Sequence, residues 1–456
     1  MFARFHHARA EQSYGGGLAF GPMSTGELLP ETPGVQPPKR GLERIFRGSP
    51  DPLGPNYRKL WTASAISNIG DGVRMTALPL LGASITRDPA KIAAIDLFST
   101  LPWFLFALIS GALVDRWDKR LAMSIANGIR FVLMLVLALA TVWGNESLVL
   151  LYAIGFLLGC SETLFDNAAQ TIMPAIVRKD QLERANGRLY AAEIINNQFA
   201  GPPLGGFLFA WAAAAPFFVD SISFAVSALL IAALVGSFKS PRDEATGPTT
   251  IRTDIAEGLR WLWHHRLIRT LAIMLGLWNG LSMASFSIFV LYALEILNLS
   301  GVGFGMLLAA STAGSLLGSL AASRLSKMGA GNALIGSVVF GALASLGVAL
   351  TSNAFVVAAM MALFGFVTVV WNVITVSLRQ AIIPGRLLGR VNSVYRLLGW
   401  GSMPIGAVVG GIMGRTLGLR SPWALQFGVL MVALLALVPR VNNRTIATAR
   451  AEAEDV

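Results

Sequence analysis

Charged side chains stand inside runs of this chain that are otherwise apolar, and each is a candidate for chemistry. Asp71 and Arg74 fall three apart in Asn68-Ile-Gly-Asp71-Gly-Val-Arg74, so on a helix they share a face and can simply neutralise each other. Arg130, Glu162 and Glu193 interrupt three further apolar runs. An ionised group at mid-bilayer costs several kcal/mol unless it is paired or hydrated, so each asks for a reason. The functional reading is that a protonatable Asp71 or Glu162, set beside Arg74 and Arg130 and followed by Glu193, takes up a proton on one side of a membrane and releases it on the other.

Other chemistry finds little support in the sequence. The four histidines, His6, His7, His264 and His265, lie outside the apolar runs, and Cys160 is the single cysteine. That leaves no disulfide framework, no cluster for a metal and no thiol–imidazole pair. Neither a phosphate-cradling Gly-rich loop nor a Gly-x-Ser-x-Gly or His-Glu-x-x-His string is present. The expectation is a protein that is not an enzyme and needs no cofactor, metal or ATP.

The elements that must position these charges follow from composition. Hydrophobic residues make up 54% of the 456 and charged ones 13%, with mean hydropathy +0.61, too few charges to clothe a soluble globule. About 20 apolar residues cross a bilayer as a helix. Twelve spans are expected, over residues 60–83, 92–114, 121–143, 147–172, 187–211, 216–238, 268–292, 302–325, 331–351, 354–378, 391–414 and 422–439.

The spans form two sets of six, and the chain repeats itself to match. Gln170-Thr-Ile-Met-Pro174 with Leu182-Glu-Arg184-Ala-Asn186 is echoed by Gln380-Ala-Ile-Ile-Pro384 with Leu388-Gly-Arg390-Val-Asn392, and Gly111 to Asp115 by Gly318 to Ala322. Two homologous halves place a binding site where they meet. The expected division is a tail over 1–56, an N-terminal bundle over 57–238, a linker over 239–267, a C-terminal bundle over 268–440 and a second tail over 441–456. Met23 offers a second possible start.

Lysine and arginine concentrate in one class of loop together with both termini, while the other class holds only Arg87, Lys91, Arg415 and Arg420. Positive segments stay in the cytoplasm, so both ends are expected there. Topology thereby accounts for the net charge of +11, and no nucleic-acid partner is implied. In the linker, Ile251, Ile255, Leu259 and Leu262 recur at helical spacing, predicting an amphipathic helix on the cytoplasmic membrane face with Trp261 and Trp263 at headgroup depth.

Two motifs complete the candidate set. Gly111-Ala-Leu-Val-Asp115-Arg116-Trp117-Asp118-Lys119-Arg120 resembles the loop motif of the major facilitator superfamily, Gly-x-x-x-Asp-Arg-x-Gly-Arg-Arg, with Asp118 in place of its second glycine. Besides plain positive-inside anchoring, it reads as a cytoplasmic gate latch in which Asp115 faces a helix N-terminus and the cations Arg116, Lys119 and Arg120 pair with Asp166. Gly201-Pro202-Pro203-Leu204-Gly205-Gly206 looks like the motif associated with proton antiporters of that superfamily. Its glycines permit close helix contact and its prolines bend the helix, whether for packing alone or for a rocking interface.

Within the superfamily, Gly70-Asp71-Gly72, Glu162 with Phe165-Asp166-Asn167, Arg184-x-Asn186 and Glu257-Gly-Leu-Arg260 are similar to the branch of macrolide-efflux proteins and enterobactin exporters. The resemblance implies an all-α membrane protein in the plasma or inner membrane that exports amphipathic small molecules such as drugs, macrolides or siderophores in exchange for protons, by alternating access and as a monomer. An importer or a facilitator of lipid-like solutes shares that fold, and a non-transporting membrane protein is the remote alternative. Acids inside spans concentrate in the first half. Asn68 and the second-half residues Trp278, Asn279, Phe366, Trp371 and Asn372 therefore read either as a cargo wall or as ordinary span packing.

Overall fold

The computed structural model describes residues 53–236, 238 and 251–454; within its helices the side chains of 107–116, 170, 179, 251–255, 385, 386, 453 and 454 lie outside that description. The tail as far as residue 52 and the linker segment 239–250 also lie outside the described residues. Among the described residues every regular element is helical and none is a strand.

The first half comprises α1 (Pro55–Ile85), α2 (Pro89–Arg116), α3 (Lys119–Val142), α4 (Leu148–Ile176), α5 (Leu182–Glu193) running through a π-helical stretch (Ile194–Ala200) into α6 (Gly201–Trp211), and α7 (Ala215–Ala232). The linker helix α8 (Ile251–His264) leads into α9 (Arg266–Phe286), followed by the short turns Phe289–Leu291 and Tyr292–Ile296. Then come α10 (Gly301–Leu350), α11 (Ala354–Ile382), α12 (Gly385–Leu417), α13 (Ser421–Leu437) and α14 (Asn443–Glu454).

Seven of these helices are long and apolar enough to cross a membrane. Of the remaining expected spans, residues 92–114 run within α2 into side chains outside the description, and three others fall short for readable reasons. Residues 60–83 carry Asp71 and Arg74, the run over 187–211 is divided by its π-helical stretch, and residues 422–439 give a helix of only 17 residues. Residues 302–325 and 331–351 form the single 50-residue α10, broken at Gly329, whose φ of 145° only glycine takes readily. There Asn443 Oδ1 accepts from the amides of Gly331 (2.8 Å) and Asn332 (3.3 Å), capping the donors the break exposes. The segment expected as a tail after residue 440 therefore begins a helix docked on α10.

Buried apolar side chains form three clusters. Leu60, Met123, Ile172 and Ile231 belong to one, confined to the first half at the end where α1 begins. Leu267, Leu334, Leu378 and Leu437 belong to another, confined to the second half at the end where α9 begins. The third draws on both halves at the opposite end, joining Leu81 and Ile92 to Phe289, Tyr292, Phe304 and Trp423. The start of α1, the linker helix α8 and the helix α14 lie away from that shared core.

The linker helix also packs on the protein. Gly258 and Leu262 face the protein, Gly258 directly against the Arg390 carbonyl of α12, and Glu257 forms an ion pair with Arg390. Leu259 and Trp263 are exposed, and Ile251 and Ile255 lie outside the described side chains. A glycine with a leucine four residues on makes a closer helix contact than the leucine and isoleucine stripe does.

Candidate functional site

Two helices of the first half bring the interior charges together. Gly70 on α1 has Asp220 Oδ1 and Ser223 Oγ of α7 where its Cβ would stand, so only glycine lets these helices approach so closely. One turn on, Asp71 Oδ1 accepts from Arg74 Nη2 at 2.6 Å, and Arg74 Nε lies 3.2 Å from Asp220 Oδ2. Asp220 is wholly buried, with Ser223 Oγ 3.5 Å from its Oδ1. The second contact is an ion pair without hydrogen-bond alignment, since Arg74 Nε and Asp220 Oδ2 both lack a hydrogen-bond partner.

Arg130 on α3 supplies the other cation. Its guanidinium lies between the rings of Phe165 (5.1 Å) and Phe224 (5.2 Å), and its Nη2 is buried without a partner. Nη1 is 3.5 Å from Asn127 Oδ1, and Asn127 Nδ2 donates to Ser227 Oγ at 2.9 Å. The fields of these groups overlap: Glu162 acts on Arg74, Arg130 acts on both Asp166 and Asp220, and Asp71 and Glu162 act on Glu193. Asp71, Glu162, Asp166 and Asp220 thus share the fields of two guanidiniums, while Glu193 feels only the carboxyls of Asp71 and Glu162.

Three placements differ from the sequence reading. Glu193, expected inside an apolar run, is exposed at the end of α5. Asp166 stands near the interior acids, ten residues, roughly 15 Å, before the end of α4. Lys119 and Arg120 at the start of α3 instead donate to carbonyls near the ends of α4 and α7, Thr171 (3.3 Å) and Leu234 (2.8 Å), where the helix dipole favours a cation. The side chains of Gly111, Asp115 and Arg116 lie outside the description. Asp118, which replaces the motif's glycine, accepts from the Leu121 amide at 3.2 Å and caps α3.

The Gly-Pro-Pro-Leu-Gly-Gly segment ties α1 to the second half. Gly201 and Gly205 lie against Gly72 and Val73 of α1, Gly206 against Gly301 of α10, and the Pro202 carbonyl against Gly305. Proline at 202 cannot donate to the Gln198 carbonyl, which α-helical pairing would require. That carbonyl accepts instead from Thr312 Oγ1 of α10, 2.8 Å away across the two halves. The Gly201 amide reaches Asn196, five residues back, which gives the π-helical stretch; such bulges concentrate at functional sites.

The residues read as a cargo wall or as span packing lie in different settings. Trp278 and Trp371 are buried in the second-half core, their rings 6.4 Å apart, with Phe364 stacked on Trp278 at 5.3 Å. Asn279 Nδ2 donates to the Gly399 carbonyl at 3.0 Å, and Asn68 Nδ2 to Ser64 Oγ at 3.2 Å. The Phe366 backbone closes on Gly318, and Asn372 is exposed. Large aromatics gain most by full burial, so helical spacing served packing here.

Two features went unread. Asp220 was legible as an acid flanked by Ser221 and Ser223 in an apolar run, but nothing local pairs it with Arg74. The cross-half contacts, Arg87 with Glu295 (3.9 Å) and Asp88 with Arg415 (3.7 Å) at the shared-core end and Trp103 with Trp400 (4.8 Å) midway along α2 and α12, carry no local sequence signal of their pairing.

Known proteins share this organisation. The transmembrane secretion effector family model matches residues 51–455. The multidrug efflux pump Tap of Mycolicibacterium fortuitum is 27% identical over 401 residues, 85% of this chain and 96% of that protein. The enterobactin exporter EntS of Escherichia coli O139:H28 is 24% identical over 394 residues, 86% of this chain and 93% of that protein. In fold, the chain is similar to a bacterial homologue of the iron transporter ferroportin in its inward-facing state (TM-score 0.67, 18% identity, 88% of this chain and 99% of that one). It is also similar to the nucleoside transporter NupG (TM-score 0.66, 12% identity, 85% and 99%).

Proposed function

The chain belongs to the transmembrane secretion effector family of the major facilitator superfamily, multi-pass proteins of the inner membrane, and on that premise we propose that it exports amphipathic small molecules in exchange for protons. The relatives named as a multidrug efflux pump and an enterobactin exporter support export of drugs or siderophores. Proton exchange rests on one observation: Asp71 and Asp220 share the Arg74 guanidinium, with Glu162, Asp166 and the second cation Arg130 within the same field. Two cations offset two carboxylates, and a buried charge left uncompensated is strongly unfavourable. Protons or a cationic cargo balance the remainder, so changing the proton load changes what the group tolerates.

In this reading twelve spans cross the membrane with both termini cytoplasmic, and the protein works as a monomer. The halves, joined at the outer end, rock about the Gly206–Gly301 contact, and Asp71, Glu162 and Asp220 exchange protons beside the fixed charges of Arg74 and Arg130 as access alternates. The two glycines allow backbone against backbone, a contact that can pivot without unpacking large side chains.

The test is efflux from proteoliposomes under an imposed proton gradient, with a panel of macrolides, dyes and a catecholate siderophore. Export is expected to follow the gradient and to stop when an ionophore collapses it. Undiminished export in the collapsed state would overturn proton exchange, and accumulation in the opposite sense would overturn export.

A further inference from the structure

A groove between α9 and α13 encloses about 260 Å³ on the surface of the second half. Ile273, Leu277, Ala433 and Leu437 line it, and Arg269 and Arg440 stand together at one end, where α9 begins and α13 has ended. Ile273 is half exposed, so the groove opens outward onto the surface that meets lipid. From this arrangement we infer a binding site for one anionic phospholipid, its phosphate held by Arg269 and Arg440 and an acyl chain laid in the groove.

Both guanidiniums are braced. Arg269 Nη1 donates to the Trp263 carbonyl at 2.6 Å, and its guanidinium lies 5.8 Å from the Trp263 ring. Arg440 Nη1 donates to the Ala436 carbonyl at 2.9 Å. Each keeps further N–H groups without a protein partner among the described residues, in the fork geometry that suits phosphate oxygens. The acid Glu452 acts on neighbouring His265 but forms no ion pair with either arginine among the described residues.

Size and composition decide the occupant. Pockets for drug-sized molecules hold roughly 300–1,000 Å³ and surround their ligand. This one is smaller and open to the bilayer, which suits a single chain better than a cargo. Two cations at headgroup depth beside apolar walls favour an anionic lipid over a zwitterionic one. The site needs only the membrane location of the protein and stands whether or not cargo export is driven by protons.

Native mass spectrometry of the purified full-length protein tests it, with phosphatidylglycerol and phosphatidylcholine of identical chains as probes. Two arginines at this depth give roughly a 30-fold preference for the anionic lipid. Arg269→Gln with Arg440→Gln is expected to abolish the preference, Arg269→Lys with Arg440→Lys to keep most of it, and Ile273→Trp to weaken both lipids alike. Arg324→Gln, a cation outside the groove, is expected to change nothing. A preference that survives the double glutamine variant overturns the site, as does an equal loss in Arg324→Gln. Displacement by glycerophosphate without chains at the same concentration overturns it as well, since that would mark a phosphate site and not a lipid one.

Discussion

Removing the two ion pairs that cross between the halves should loosen the outer end by an amount the structure bounds. Arg87 meets Glu295 at 3.9 Å and Asp88 meets Arg415 at 3.7 Å, and both arginine side chains are more than half exposed. Exposed pairs of this kind contribute about 0.2–1 kcal/mol each. Losing both therefore shifts the balance toward the outward-open state by about 0.4–2 kcal/mol, a factor of roughly 2 to 30. The perturbation is Asp88→Asn with Glu295→Gln. The reporter is Ala93→Cys in a Cys160→Ala background, because Ala93 is buried where Gly411 of α12 closes over it and Cys160 is the single native cysteine. A membrane-impermeant thiol reagent applied outside intact cells should label the double variant about 2 to 30 times faster. Molar salt should accelerate the parent toward the variant, because screening at that strength acts within about 3 Å. Exchanging the charges, Asp88→Arg with Arg415→Asp, should restore slow labelling. An unchanged rate in the neutral variant, or a charge exchange that labels as fast as it, would refute the latch.

Four further outcomes follow from other contacts. Asp71→Asn should abolish gradient-driven efflux while protein stays in the membrane. Asp220→Asn should lower the melting temperature by a loss of about 3 kcal/mol or less, because Arg74 keeps Asp71, and Arg74→Leu with Asp220→Leu should recover part of that loss; equal melting of all three would contradict the pairing. Thr312→Val should leave the Gln198 carbonyl unpaired at a cost of about 1–3 kcal/mol, measurable as thermal stability and spared by Thr312→Ser. His265, held below its usual value by burial, accepts from the Ile268 amide at 3.3 Å and must be neutral to do so. Stability from this cap is complete above the unfolded histidine value, about 6.5, and is lost as pH falls below it. His265→Asn, an acceptor that does not titrate, should flatten the stability profile between pH 7 and 5.

The sequence by itself determined the membrane class, the paired halves, the family and which residue types break the apolar runs. Those properties are local sums: hydropathy over a window, cations counted loop by loop, glycine and proline at fixed spacing. They led correctly to Asp71 with Arg74, because three residues on a helix fix a shared face. They could not pair Arg74 with Asp220, far off in sequence on α7, or show that Gly70 exists to let those helices meet. Nor could they choose between a cargo wall and span packing for Trp278 and Trp371, which lie in the second-half core. Helical spacing says which residues share a face but not what that face meets. Tertiary structure decided the rest because the worth of a buried charge or aromatic ring depends on the partner packed against it, and that partner comes from a distant helix.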